Sequence, residues 1–134
     1  MNPSRILTIA SVLSIVLALA HLAQDIVYGY EPGTTNNLLI VPIAVVWLYG
    51  AVVLSGKRSG YMITLLFSLF SMVVPLVHMK GKGAGLASRV AYHPGHFFFV
   101  WALLLIGVLG LFTSILAARE LWRMPWRRTR DTLA

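Results

Sequence analysis

Four long apolar stretches constrain the fold of this chain more than any other feature of its sequence. A membrane-spanning helix needs about 20 mainly apolar residues. The stretches that reach or approach this length are residues 6–28, 38–55, 61–79 and 97–122. Breaks rich in glycine, proline and polar residues separate them. The sequence therefore predicts an all-α membrane protein, a four-transmembrane-helix bundle, as a single domain of residues 1–134 with a short basic tail at 123–134.

The composition favours the same fold class and excludes several kinds of chemistry. The chain is 58% hydrophobic and 11% charged, whereas soluble domains average about 45–50% apolar and about 25% charged. The net charge is +7, with the basic residues in the connections and the tail, where contact with anionic lipid headgroups is expected and nucleic-acid binding is not. The chain has no cysteine, which excludes disulfides and thiolate sites.

The distribution of basic residues predicts the orientation. If the N-terminus is inside, eight of the eleven Lys and Arg residues lie on the inner side, and Lys80, Lys82 and Arg89 lie outside. Basic residues concentrate on the cytoplasmic side of membrane proteins. We therefore predict a multi-pass protein of the inner (cytoplasmic) cell membrane with both N- and C-termini in the cytoplasm.

The first apolar stretch also allows a second interpretation. Residues 18–20 resemble a signal-peptide cleavage site before His21. The apolar run continues past this site to spanning length, which favours a membrane helix. Cleavage would leave three helices in the same orientation.

Small and weakly polar residues recur at steps of three and four in three of the stretches, so each set forms one helix face. Packed membrane helices place such residues between them, because lipid provides no hydrophobic drive for helices to associate. We therefore expect these faces to point inward, while the second stretch shows no clear inner face. The sets are Ser11, Ser14, Ala18, His21, Asp25 and Tyr28; Thr64, Ser68, Ser71, Pro75 and His78; and His96, Val100, Leu103, Gly107, Gly110, Ser114 and Ala117.

Ionisable residues of three stretches are predicted to meet in the outer half of the bundle. His21 and Asp25 lie late in the first helix, His78 ends the third, and His93 and His96 precede or open the fourth. A carboxylate at the centre of a membrane helix costs about 2.5–3.5 kcal/mol on insertion scales. His21 and Asp25 are four residues apart, so a hydrogen bond between them could orient the imidazole as a ligand.

These five residues are the candidate cofactor or metal ligands, with His21, Asp25 and His78 the stronger candidates and His93 and His96 the weaker ones. A haem or a metal ion is the expected ligand type. The alternative is that the same groups only tie helices together through hydrogen bonds, which average about 0.6 kcal/mol in membranes.

Three functions fit this pattern. The first is a non-catalytic accessory or assembly component, in a homo-oligomer or a larger membrane complex. The second is a haem-, tetrapyrrole- or metal-binding electron-transfer protein that uses His21 and His78 as ligands, with a quinone as a conceivable partner. The third is a small proton-coupled transporter with His21 and Asp25 as its protonatable pair. In size and in its acidic residue on the first helix the chain resembles the small multidrug resistance exporters, whose glutamate lies near the middle of that helix, whereas Asp25 lies near the end.

Overall fold

The computed structural model describes residues 3–28, 36–80 and 97–124, and its regular structure in these ranges is entirely helical. The all-α prediction is therefore confirmed for the described part of the chain. A 3-10 turn, Asn36–Leu39, precedes the second helix, and a π-helical turn, Tyr49–Val53, follows it. The described residues form four α-helices, which are α1 (Pro3–Tyr28), α2 (Ile40–Leu48), α3 (Arg58–Lys80) and α4 (Phe97–Arg123).

In the described part of the chain, three helices are long and apolar enough to cross a membrane: α1, α3 and α4. The 26 residues of α1 extend about 39 Å at about 1.5 Å per residue, more than the roughly 30 Å of a hydrocarbon core. The second apolar helix, Ile40–Val53, is shorter and extends only about 21 Å at the same rise. Residues 38–55 were predicted as one regular span; instead, irregular turns flank a short α-helix.

A tight turn follows the helical segment Ile40–Val53 and leads into α3. Gly56 has a φ of 79°, a left-handed conformation that glycine adopts without steric cost. The amide of Lys57 donates to the carbonyl of Leu54 across this turn at 3.0 Å. The chain therefore reverses within a few residues, as the glycine-rich sequence predicts.

Contacts between the helices show that α1 and α3 run in the same direction and α4 runs against them. Near the start of α1, Leu7 packs with Tyr61 of early α3 and Ala117 of late α4. Near the other end of α1, His21 contacts His78 of late α3 and Phe99 of early α4. The most extensive interface joins α3 to α4, and α2 packs on both α1 and α3.

The predicted inward faces of α1, α3 and α4 are confirmed by burial. The small and polar residues of these faces are mostly buried, and the hydroxyls of Ser68 and Ser114 lie 2.8 Å apart across the α3–α4 interface. Tyr28 is the exception, since it is exposed, and His96 lies outside the described residues. On α2 the inner face consists of Ala44 and Trp47.

Close backbone contact holds α3 against α4. A β-carbon at Gly110 would lie 2.8 Å from the amide nitrogen of Met72 and 2.9 Å from the carbonyl oxygen of Ser68. One turn earlier, the ring of Pro75 fills the space beside Gly107, where a β-carbon would lie 2.7 Å from the proline Cγ. Neither backbone atom near Gly110 can move without shifting the helix.

Replacing Gly110 with alanine should therefore destabilise the protein by about 1–3 kcal/mol, the usual cost of overpacking. The measurement is the free energy of unfolding in detergent micelles. Val108→Ala is the matched control, because Val108 lies on the same helix and is 64% exposed. Equal stability of the two variants would contradict a close α3–α4 backbone contact.

Candidate functional site between the helices

A cavity of about 300 Å³ lies between α1, α2 and α3, with Ile106 of α4 on its wall. Most of its lining is apolar side chains. The polar side chains among the lining residues include His21, Asp25, Ser71 and His78. Polar groups from two helices thus meet inside an otherwise apolar space.

The inward face of α1 accounts for the placement of His21 and Asp25. They are one helical turn apart, and both are buried, with exposures of 6% and 4%. His78 lies in the last turn of α3 and is half-buried. The three strongest sequence candidates therefore line one cavity, while His93 and His96 lie outside the described residues. Ligand binding by these residues stays a prediction.

The structure brings the two imidazoles into direct contact. Their Nε2 atoms are 3.4 Å apart, and the rings are edge-to-face with centroids 5.1 Å apart and an interplanar angle of 71°. His21 lies seven residues before the end of α1 at Tyr28, and His78 lies two residues before the end of α3 at Lys80. The difference of five residues corresponds to roughly 7.5 Å at about 1.5 Å per residue. The two rings meet because α1 and α3, which both pack on α4, are displaced along each other.

Hydrogen bonds define the protonation pattern of the pair. Nδ1 of His78 is 2.9 Å from the carbonyl oxygen of Val74, so this nitrogen carries a proton and donates it. In a neutral imidazole the other nitrogen is then an acceptor. Nε2 of His78 therefore accepts, and Nε2 of His21 donates.

Nδ1 of His21 is buried and has no hydrogen-bond partner among the described residues. The predicted bond between this histidine and Asp25 is therefore not formed through Nδ1. The hydrogen bond that the structure gives His21 is the one to His78.

The site also contains two aromatic residues that the sequence analysis did not assign to it. Phe99, which is fully buried, lies against the His21 ring with centroids 4.2 Å apart. Trp47 lines the cavity and stacks on Phe67 with centroids 6.2 Å apart. The spacing of Ala44, Trp47 and Ala51 by three and four residues is the signal that could have identified this face of α2.

The pair does not have the separation needed to hold a haem between its two rings. Axial ligands on opposite faces of a haem iron place their nitrogens roughly 4 Å apart, with the macrocycle between them. The observed 3.4 Å contact leaves no space for a macrocycle between the imidazoles. The prediction that these histidines, with His93 or His96 as alternates, bind a haem or another tetrapyrrole stays a prediction. No cluster of three or more His, Asp or Glu side chains suited to a metal ion occurs in the described part of the chain.

Two of the buried serine hydroxyls away from the cavity bond to backbone carbonyls of their own helices, whereas the buried hydroxyls of Ser11 and Thr113 have no partner among the described residues. Ser14 donates to the carbonyl of Ala10 at 2.9 Å. Ser68 donates to the carbonyl of Leu65 at 3.0 Å and also contacts Ser114. Because the hydroxyls of Ser14 and Ser68 bond to backbone carbonyls or to another serine, they support the helices. They do not form a continuous proton path through the inner half of the bundle.

We predict that in the metal-free protein His78 is the Nδ1–H tautomer and His21 the Nε2–H tautomer. The reason is that the carbonyl of Val74 can only accept a hydrogen bond from Nδ1 of His78. Long-range ¹H–¹⁵N correlation spectra of the histidine-labelled protein measure this directly. Assignment uses His21→Phe and His78→Phe, and an Nε2–H tautomer at His78 would contradict the arrangement.

No protein-family model matches this chain, and no curated protein or solved structure is significantly similar to it. Its function is therefore inferred from the His21–His78 pair and from the cavity that these residues line.

Proposed function

We propose that this chain is a non-catalytic, four-span membrane protein that holds a small lipid-soluble molecule in the cavity beside His21 and His78. The observation that carries the proposal is the cavity itself, about 300 Å³ in volume and lined by apolar side chains with a few polar ones. Small-molecule sites in proteins have this character and volumes of about 300–1,000 Å³. Sites between helices of a bundle are common positions for bound ligands.

A holding role is better supported than a catalytic one. The serine on the cavity wall, Ser71, donates to the carbonyl of Ile106 at 3.4 Å and so is directed at the backbone. His21 faces another imidazole and a phenylalanine ring. Neither contact is the nucleophile–base hydrogen bond that marks an activated nucleophile. An accessory or carrier role within a larger membrane assembly fits this chemistry.

The parallel arrangement of α1 and α3 supports four crossings. Because the two helices run in the same direction, the chain must return across the bundle between them. The region of α2 makes that return: Ile40 lines the cavity with Asp25 of late α1, and Thr8 of early α1 donates to the carbonyl of Ala51 at 2.9 Å. The excess of basic residues on one side favours cytoplasmic termini.

The four-span topology predicts that the two ends of α2 lie on opposite sides of the membrane. The chain has no cysteine, so single variants Thr34→Cys and Ser59→Cys each carry one labelling site. A membrane-impermeant maleimide applied to intact cells should label Thr34→Cys, whereas Ser59→Cys should react only after lysis. Lysed cells serve as the control for reactivity. Labelling of both positions from the same side would contradict a crossing by α2.

Filling the cavity should remove the bound molecule. Ala44 lines the cavity and is 8% exposed, so Ala44→Phe should place a ring in the ligand space. Val45→Phe is the matched control, because Val45 is the next residue and is 60% exposed. We expect wild type and Val45→Phe, purified gently from native membranes, to carry the same molecule at about one per chain, and Ala44→Phe to carry at least about tenfold less.

Solvent extraction with mass spectrometry measures the content, and an absorption spectrum identifies any tetrapyrrole. If Ala44→Phe does not fold, Ala18→Leu tests the same cavity from α1. A folded, cavity-filled variant with the wild-type content of the molecule would contradict the proposal.

A further inference from the structure

The two imidazoles of the candidate site meet in a geometry that suits two ligands of one metal ion. Nitrogens about 2.0–2.1 Å from a tetrahedral ion lie roughly 3.3–3.4 Å apart, and the centroids of their imidazole rings lie roughly 5.1–5.3 Å apart. The observed values are 3.4 Å for the Nε2 atoms of His21 and His78 and 5.1 Å for the centroids. Both distances match the tetrahedral arrangement.

In the metal-free protein this contact is a long hydrogen bond, and its geometry departs from that of a straight one. At 3.4 Å the contact is longer than the usual range of about 2.7–3.2 Å. Two imidazoles joined by a straight N–H···N bond of that length would have centroids roughly 5.7 Å apart. The shorter observed centroid distance, 5.1 Å, means that the ring axes are inclined to the line between the nitrogens. Inclined axes are what two rings directed at one shared ion require.

The hydrogen bond of His78 to the backbone is a second, independent observation. Metal-binding histidines almost always donate their other ring N–H to a carboxylate, a carbonyl or water, which fixes the tautomer. Nδ1 of His78 lies 2.9 Å from the carbonyl of Val74, so its Nε2 lone pair is free of a proton and directed at His21. His78 is thus already in the protonation state of a ligand.

We propose that His21 and His78 together bind a divalent transition-metal cation of the zinc class, with tetrahedral geometry. Imidazole nitrogens suit zinc, copper, iron and nickel, and tetrahedral geometry favours zinc among them. The carboxylate of Asp25, one turn from His21 and lining the same cavity, contributes negative charge near a cation in an apolar environment. This site does not depend on the organic ligand proposed above.

The remaining two coordination positions face the cavity. No third His, Asp or Glu completes a metal cluster among the described residues, so water or a molecule held in the cavity supplies the other donors. Catalytic zinc sites usually have three protein ligands and one open position, so a site with two histidine ligands would hold its ion more weakly. The ion should therefore exchange readily and be removed by a soluble chelator.

Metal binding requires a change at His21 that a purely structural histidine would not show. In the metal-free pair the proton of His21 lies on Nε2, whereas coordination needs the Nε2 lone pair and places the proton on Nδ1. Nδ1 of His21 has no partner among the described residues, so water or a molecule in the cavity would have to accept this proton. Adding Zn²⁺ to the full-length, chelator-treated protein in detergent micelles should convert His21 from the Nε2–H to the Nδ1–H tautomer. His78 should remain Nδ1–H. Histidine ¹⁵N spectra record both states.

Co²⁺ provides a second readout, because a tetrahedral Co²⁺ site absorbs visible light much more strongly than an octahedral one. We expect one Zn²⁺ or Co²⁺ to bind per chain. The affinity should fall at least about tenfold in His21→Phe and in His78→Phe. The reason is that loss of a residue that only hydrogen-bonds to a metal ligand already lowers the affinity about 10–100-fold. Ser14→Ala is the matched control, because Ser14 is buried on the same helix as His21 but away from the cavity, and it should change the affinity by less than about twofold.

Three results would overturn the proposal. They are an unchanged His21 tautomer at saturating Zn²⁺, a Co²⁺ spectrum of octahedral type, and stoichiometric binding that persists in both histidine variants. The double variant His93→Gln/His96→Gln tests whether His93 and His96 bind the ion instead of the pair. Loss of binding in this variant, with binding retained in His21→Phe, would also overturn the proposal. Where a phenylalanine variant fails to fold, the corresponding glutamine variant, His21→Gln or His78→Gln, replaces it. These outcomes are independent of whether Ala44→Phe loses a bound organic molecule.

Discussion

Lipid gives two apolar helices no hydrophobic reason to associate, so direct contact between their backbones and small side chains has to hold α3 against α4. At Gly110 the two helices approach so closely that a single added carbon would meet backbone atoms of α3. The paired hydroxyls of Ser68 and Ser114 lie in the same interface. This contact sets the position of α3, and with it the position of His78 relative to α1.

The cavity follows from how the remaining helices attach to that pair. α4 packs on α1 as well as on α3, whereas α1 and α3 make few contacts with each other. The short α2 covers the space between α1 and α3, and Trp47 stacks on Phe67 along the cavity wall. A small helix that packs on two larger ones thus leaves room for a ligand between them.

Local sequence patterns predict the parts of this structure that depend on one helix at a time. Apolar length identified α1, α3 and α4, and the periodicity of residues such as Ser14, Ser68 and Ser114 identified the faces that are buried. The contact between His21 and His78 could not be predicted from spacing alone, because it depends on how far one helix is displaced along another. For the same reason the sequence suggested a hydrogen bond from His21 to Asp25, its neighbour on the same helix. The irregular ends of α2 depend on packing and turn geometry in a similar way.

Pro75 has a mechanical consequence for the site. Proline has no amide hydrogen, so the carbonyl of Ser71 lacks its usual helical donor. The last turns of α3 are therefore joined to the rest of the helix by one backbone hydrogen bond fewer. Gly107 accommodates the proline ring, which keeps this point of α3 in place against α4. The segment beyond it, which carries His78, is therefore joined to the rest of α3 less firmly than in a regular helix. A small tilt of that segment would change the distance between the two imidazoles. The contacts of α3 with Gly107 and Gly110 of α4 would stay unchanged.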